Sequence, residues 1–445
     1  EFRRVLFRSG KGMLIKDITV LNSNMEPLEH RNVVVKDGRF DSIGVDVVEK
    51  DPEMVIDGKN KLLMPGFYNT HCHVPMTLTR GLGEGLSLND WLTKKMFPFE
   101  GNMTEEDCYY GALLGAMELM AGGCVSISDM YFHVQDIARA LYDAGMKANI
   151  CHGLSSSDPH ERPESLKGWR NTVSLLNEYR DKKDGRIRID MGLHAEYTST
   201  DNLVQAVAAF AKEQGLTVHT HISETKKEHE ECKLRHGGLT PVQYFYERGM
   251  FENPVLAAHC VWLEERDKEI MRERKATVSH CISSNLKLGS GVAPISSYLN
   301  EGIRVVVATD GAASNNNLNV MEEIHLASLA AKGAFLDPTL LPPQTVLEMA
   351  TVNGAEAQGR EDCGVIETGK KADFIILDLD KPHLIPKHDI LANVVYSAQA
   401  SDIYMTVIDG RVVYKEGEFL TIDRERVQYE ADRRVKRICS QMQGM

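Results

Sequence analysis

Eight short apolar, β-rich runs recur through the middle of this chain, with helical stretches between them. The runs cover residues 62–69, 125–129, 147–152, 189–194, 217–222, 255–259, 277–282 and 304–310. Helices are read at 105–121, 134–144, 203–214 and 264–274. Parallel strands need a long crossover, and a helix is the usual one. Eight such units predict an α/β fold built on a (β/α)8 TIM-type barrel. The alternative is a doubly wound open sheet. That reading lacks its usual mark, since no GxGxxG turn follows the first strand.

The two ends of the chain are alike in kind. Residues 13–65 and 370–422 hold short β-runs with Asp37-Gly38 and Asp409-Gly410 between alternating segments, a good hairpin signal. Neither half has strands enough for a domain, so together they are expected to form a small β-sandwich. The barrel, 66–369, is then inserted into it. Residues 1–12 read oddly against the clean strand pattern that starts at Met13, and are expected to be an appended or assembly scar. A charged, helix-prone tail, 423–445, is expected on the surface or between the subunits of a homo-oligomer, a dimer or tetramer.

Composition excludes some partners. There are 51 Lys plus Arg against 64 Asp plus Glu, a formal charge of -13, so a phosphate backbone is repelled. No apolar run approaches the roughly 20 residues that span a bilayer. The basic N-terminus lacks the apolar core of a secretory signal. The nine cysteines are scattered and form no tandem CxxC. They read as buried free thiols, and a cytoplasmic location is expected.

The sixteen histidines are more telling. His71 and His73 follow the first run, His194 ends the fourth, His219 and His221 lie in the fifth, His259 ends the sixth, His280 lies in the seventh and Asp310 ends the eighth. The C-terminal strand ends of such a barrel form one face, which holds the active site. In a strand, residues i and i+2 share a side, so His71 and His73 both aim into the mouth. Two imidazoles with further N or O donors suit Zn2+. Of His219 and His221, which both face inward, His221 lies nearer the mouth and His219 deeper. Glu224 is placed to shuttle a proton beside a metal site, or else to serve as a helix N-terminal acid. Asp310 ends a buried apolar strand, where a carboxylate is costly unless paired or metal-bound; a helix N-cap is its other reading. No lysine lies in the fourth run, so a bridging lysine is absent and one metal is favoured over two.

The segments Pro65-Gly66-Phe67-Tyr68-Asn69-Thr70-His71-Cys72-His73, His194-Ala195-Glu196-Tyr197-Thr198, His219-Thr220-His221-Ile222-Ser223-Glu224-Thr225, Ala258-His259-Cys260, Ser284-Asn285-Leu286-Lys287-Leu288 and Ala308-Thr309-Asp310-Gly311-Ala312-Ala313-Ser314-Asn315 resemble the amidohydrolase superfamily. Within it they resemble the methylthioadenosine/S-adenosylhomocysteine deaminase group. The resemblance runs from Met13 over nearly the whole chain. It implies one Zn2+ per subunit, with Fe2+ or Mn2+ as alternatives, held by His71, His73, His221 and Asp310. It implies that Glu224 shuttles protons and contacts substrate, that His259 orients the attacking hydroxide, and that Asp310 accepts the water proton. His194 is implied as a substrate contact, Glu100 as a carboxylate for ribose hydroxyls, and Trp91 as part of a loop over the base. The implied reaction is hydroxide attack on C6 of an adenine ring as Glu224 protonates N1, giving a 6-oxopurine and ammonia.

There is one departure. Relatives that prefer S-adenosylhomocysteine usually carry arginine near the third strand end. Here His152 stands there, either as a substrate contact or as a plain strand-end histidine, and Arg162 follows on the next loop. Adenosine, 5'-deoxyadenosine and methylthioadenosine stay open beside S-adenosylhomocysteine. Two other readings compete: a hydrolase of another amino- or chloro-heterocycle (guanine, a triazine or a pterin), and a non-catalytic barrel serving as a scaffold.

Overall fold

The computed structural model describes residues 12–182 and 184–443. The expected scar therefore lies, apart from Gly12, outside the described residues.

The barrel strands are Phe67–Cys72, Cys124–Tyr131, Lys147–His152, a fourth in two pieces (Ile187–Ile189 and Met191–Leu193), Val218–Ile222, Val255–His259, Thr277–His280 and Arg304–Val307. All pair in parallel, in one ladder of four and one of five. Two seams close the ring. Asp310 N–H donates to the His71 carbonyl at 3.0 Å, and Thr70 Oγ1 donates to the Val307 carbonyl at 3.1 Å. On the opposite side, Asp190 N–H donates to the Ile150 carbonyl at 3.0 Å and Leu154 bridges Leu193.

Local sequence explains the helices. Glu105–Ala121 starts at a capping box, in which Thr104 and Asp107 each accept the other's backbone N–H. Asp201–Gln214 is capped by Thr200 and stopped by Gly215 at φ 68°. Val134–Ala144 ends likewise at Gly145.

The strands expected over 277–282 and 304–310 stop at His280 and Val307, so Asp310 lies three residues past its strand, and Ile282 opens a helix. Two further runs differ in kind. The run read at 62–69 is two strands: Lys61–Pro65 belongs to another sheet, and Phe67–Cys72 opens the barrel. Gly66 parts them, and a Cβ there would lie 2.3 Å from Val125 Cγ1. The run at 189–194 breaks at Asp190, a buried residue whose carboxyl burial pushes up to about 7.

Both chain ends meet in one nine-stranded sheet. Lys61–Pro65 pairs antiparallel with Phe374–Asp378, putting Leu63 opposite Ile376. The two Asp-Gly turns have positive φ at both residues, as type I′ hairpins require. They abut: Ala372 N–H donates to the Gly38 carbonyl, and Gly410 N–H to the Ala372 carbonyl. The sheet encloses its own core, with Ile15, Ile18, Val33, Phe40, Phe374 and Val407 at its heart. The helix Arg424–Gln443 lies against Glu105–Ala121, where Arg434 Nη1 donates to buried Asp107 at 2.9 Å. None of the nine cysteines is paired. No described helix is long and apolar enough to cross a membrane.

Candidate metal centre and active site

Side chains converge at the C-terminal mouth of the barrel. The ligand atoms of His71, His73 and His221 lie within 4.8 Å of one another, as do those of His71, His259 and Asp310. Asp310 Oδ1 is 3.2 Å from His71 Nε2 and 3.1 Å from His73 Nε2. His259 Nε2 is 3.8 Å from Asp310 Oδ2 and 3.6 Å from Glu224 Oε2.

Each imidazole is aimed by its other nitrogen. His73 Nδ1 donates to the Met130 carbonyl at 2.5 Å, and His221 Nδ1 to the His194 carbonyl at 2.6 Å. His71 Nδ1 is 2.8 Å from His219 Nε2. All three therefore present Nε2 to one point, the arrangement that metal-ligating histidines use. His71 Nε2 is buried with no hydrogen-bond partner, so it is an orphan polar atom facing a carboxylate and two imidazoles. Three nitrogens and one carboxylate oxygen make a donor set that fits Zn2+.

Charge follows burial. Desolvation pulls His71 down to about 4 and holds His221 well below the ordinary imidazole value, so both are neutral. Burial works against a charged His73 too, but the bond to Asp310 raises it to about 9. A divalent ion competes with that proton for Nε2. Burial also pushes the Asp310 carboxyl up, yet the adjacent His71 and His73 hold it well below the usual range. Its Oδ2 accepts from Ser284 Oγ at 2.8 Å and Ser314 Oγ at 3.1 Å.

Glu224 follows the fifth strand on a tight bend. Ser223 before it has φ 48°, and Glu224 N–H donates to Glu228 Oε2 at 2.7 Å. Burial raises the Glu224 carboxyl, with His259 opposing and Asp310 adding to the rise. His259 Nδ1 donates to Asn285 Oδ1 at 2.9 Å, which turns Nε2 toward Glu224 and Asp310. Ser223, His259 (φ 76°) and Asp310 (φ 60°) are all left-handed non-glycines. Such residues cost of order 1–3 kcal/mol each and gather at functional sites.

The predicted substrate residues are less tightly gathered. The His194 ring lies 5.0 Å from that of His221, and its Nδ1 pairs with Thr198 Oγ1 at 2.9 Å. Glu100 accepts from Tyr131 Oη at 3.1 Å, and burial lifts its carboxyl to about 7 while Tyr131 and His73 oppose the rise. Trp91 is buried beside Gly83, where a Cβ would come within 3.0 Å of Trp91 Cδ1. His152 stands apart from the cluster. A Cβ on Gly168 would meet its ring at 2.6 Å, its Nδ1 has no partner, and burial lowers it to about 4. His280 is buried in its strand and lowered to about 3 by desolvation.

Residue patterns alone give no role to Asn285, Ser284, Ser314, Tyr131 or Glu228. Polar residues after strands are common, and the partners of Asn285, Ser284 and Tyr131 come from distant parts of the chain, while Ser314 and Glu228 bond residues four away across a bend. Position just past the seventh strand end is the one signal that marks Ser284 and Asn285.

The sequence model of the Amidohydrolase family matches residues 62–413. The 5-methylthioadenosine/S-adenosylhomocysteine deaminase of Dictyoglomus thermophilum is 42% identical over 382 residues, 86% of this chain and 88% of that protein. The 5'-deoxyadenosine deaminase of Methanobrevibacter smithii is 37% identical, over 96% of this chain and 98% of its own. Among solved structures, an adenosine deaminase from Xanthomonas campestris with bound zinc superposes with a TM-score of 0.91 at 28% identity, covering 97% of this chain and 99% of that one. An atrazine chlorohydrolase from Arthrobacter aurescens, at 23% identity and a TM-score of 0.86, shares the fold; it covers 95% of this chain and 100% of its own.

Proposed function

This chain belongs to the amidohydrolase family, and from that premise we propose that it is a metal-dependent deaminase of adenosine-type nucleosides. It replaces the 6-amino group with oxygen and releases ammonia. The observation that carries the reading is the convergence of three Nε2 atoms and the Asp310 carboxylate, flanked by Glu224 and His259. The relatives named for 5'-substituted adenosines support the substrate class.

His71, His73, His221 and Asp310 hold one divalent ion, for which the zinc-bound relative supports zinc. When bound, the ion supplies positive charge that lowers the pKa of water from about 15.7 toward about 7. The chain's own groups handle the protons and the alignment. Asp310 stays anionic and accepts the proton that the attacking water gives up. Glu224, raised by burial, gives its proton to N1 of the ring, where it stays in the 6-oxopurine. The proton that Asp310 took from water passes to the departing amine, and Glu224 takes back the last hydroxyl proton as the carbonyl forms. His259, pinned by Asn285, orients the nucleophile beside Glu224 and Asp310. Glu100, hydrogen-bonded by Tyr131, accepts from ribose hydroxyls. His194 meets the substrate beside His221, and Trp91 helps cover the base.

His152 sets the preference within the class. A neutral, packed imidazole offers no charge to an amino-acid carboxylate. Methylthioadenosine, 5'-deoxyadenosine and adenosine are therefore expected to turn over with higher kcat/KM than S-adenosylhomocysteine. Zinc-loaded protein given all four, followed by adenine absorbance and ammonia release, tests this. Turnover of none of them, with turnover of guanine or a triazine instead, overturns the substrate class. Fastest turnover of S-adenosylhomocysteine overturns the role of His152.

A further inference from the structure

One histidine of the cluster has no place in the chemistry above. His219 is fully buried, two residues before His221 on the same strand. Both of its ring nitrogens are engaged: Nε2 is 2.8 Å from His71 Nδ1, and Nδ1 is 3.7 Å from Cys151 Sγ. Three side chains from the first, third and fifth strands thus form one line that ends at the proposed metal ligand His71.

A neutral imidazole has one donor and one acceptor nitrogen, so this line runs in one of two directions. In the first, His71 donates from Nδ1 to His219 Nε2, and His219 donates from Nδ1 to the Cys151 sulfur. In the second, the Cys151 thiol donates to His219 Nδ1, His219 Nε2–H donates to His71 Nδ1, and the His71 proton sits on Nε2. Only the first leaves a lone pair on His71 Nε2. His73 and His221 have no such choice, because each donates to a backbone carbonyl, which only accepts.

We propose that His219 is a positioning residue of the metal site: it accepts the Nδ1 proton of His71 and so fixes the ligating tautomer, with Cys151 as the outer acceptor. Occupation of the site by a divalent ion then sets the proton positions of all three residues. The proposal rests on the reading of His71 as a ligand. A further observation supports it. Gly192 on the fourth strand leaves room for it, since a Cβ there would lie 2.9 Å from Cys151 Sγ and 2.1 Å from the His152 carbonyl oxygen.

The test is zinc affinity of the full chain, measured by competition with a chromogenic chelator. His219→Leu removes the acceptor and is expected to weaken binding by about 10–100-fold. His219→Gln offers an amide oxygen near the Nε2 position and is expected to restore most of that loss. Cys151→Ala leaves the His219 Nδ1–H without an acceptor and is expected to give a smaller loss in the same direction; it serves if His219→Leu does not fold. Nitrogen-15 NMR of the zinc-loaded wild type is expected to show His219 protonated on Nδ1. Unchanged affinity in both His219→Leu and Cys151→Ala, or a His219 proton on Nε2, overturns the proposal alone. A wild type that takes up no zinc, or a His71→Ala variant that keeps it, overturns the ligand reading and the proposal with it.

Discussion

Glu224 shows how much a single side chain owes to its surroundings. Its backbone is bent by a left-handed Ser223 and tied to Glu228, and its carboxylate faces His259 at 3.6 Å. Burial favours the protonated acid, which is the form a proton donor needs. Glu224→Gln keeps the shape and hydrogen-bonding reach but has no acidic proton. It is expected to retain zinc by elemental analysis and to lose roughly 10²–10⁴ in kcat. A variant with near-normal kcat would remove Glu224 from the proton path. At this scale the pattern of residues was legible where spacing does the work. His71 and His73 share a face because strands alternate, and they do meet Asp310. The contacts of Asn285, Ser284 and Ser314 were not legible, because Asn285 and Ser284 bond residues at or just past the ends of neighbouring strands and Ser314 reaches back to Asp310 only through a bend after the strand. The left-handed backbone at His259 and Asp310 left no mark either, since neither is a glycine.

At the scale of elements, the apolar runs marked most barrel strands. Lys147–His152 and Val255–His259 fall where the runs put them. The run at 62–69 misled, because burial on both faces hides the boundary between two strands that serve different sheets. Gly66 is that boundary, and the reason is space rather than flexibility. A Cβ would sit 2.3 Å from Val125 Cγ1 and 2.9 Å from Cγ2. Gly66→Ala is therefore expected to cost about 1–3 kcal/mol by overpacking. Val125→Ala alone leaves a void in the same place and also costs stability. The two together are expected to cost less than the sum of the singles, because each fills or frees the other's space. Urea unfolding of the four proteins checks this. Strict additivity would mean that Gly66 serves some purpose other than clearance.

At the scale of the whole molecule, one buried cation ties the barrel to the nine-stranded sheet. Lys147 opens the third barrel strand and is 2% exposed, and its Nζ contacts Asp373 and lies 2.6 Å from Asp409 Oδ1. Asp373 also accepts from Tyr68 Oη at 3.1 Å and from Asp409 N–H at 2.8 Å. This junction was beyond a reading of residue patterns, because a lysine at the start of an apolar strand looks like a surface residue. Lys147→Met removes the cation and leaves a fully buried carboxylate, a change expected to cost roughly 3–5 kcal/mol. The pH dependence follows from sign. Burial pushes Asp373 up, but Lys147 holds it below the usual range, so in the wild type its contribution is full above the unfolded value and is lost as pH falls through the folded one. Without Lys147 burial acts unopposed and the folded value rises above the unfolded one. The folded variant then binds more protons than the unfolded chain, so its stability falls as pH rises. The gap between wild type and Lys147→Met is therefore expected to widen between about pH 4 and about pH 7. Adding Asp373→Asn is expected to remove the pH dependence of the gap and part of its size, because the buried group no longer ionises. Urea midpoints for the three proteins at both pH values decide it; a gap of constant size would show that Asp373 does not feel Lys147.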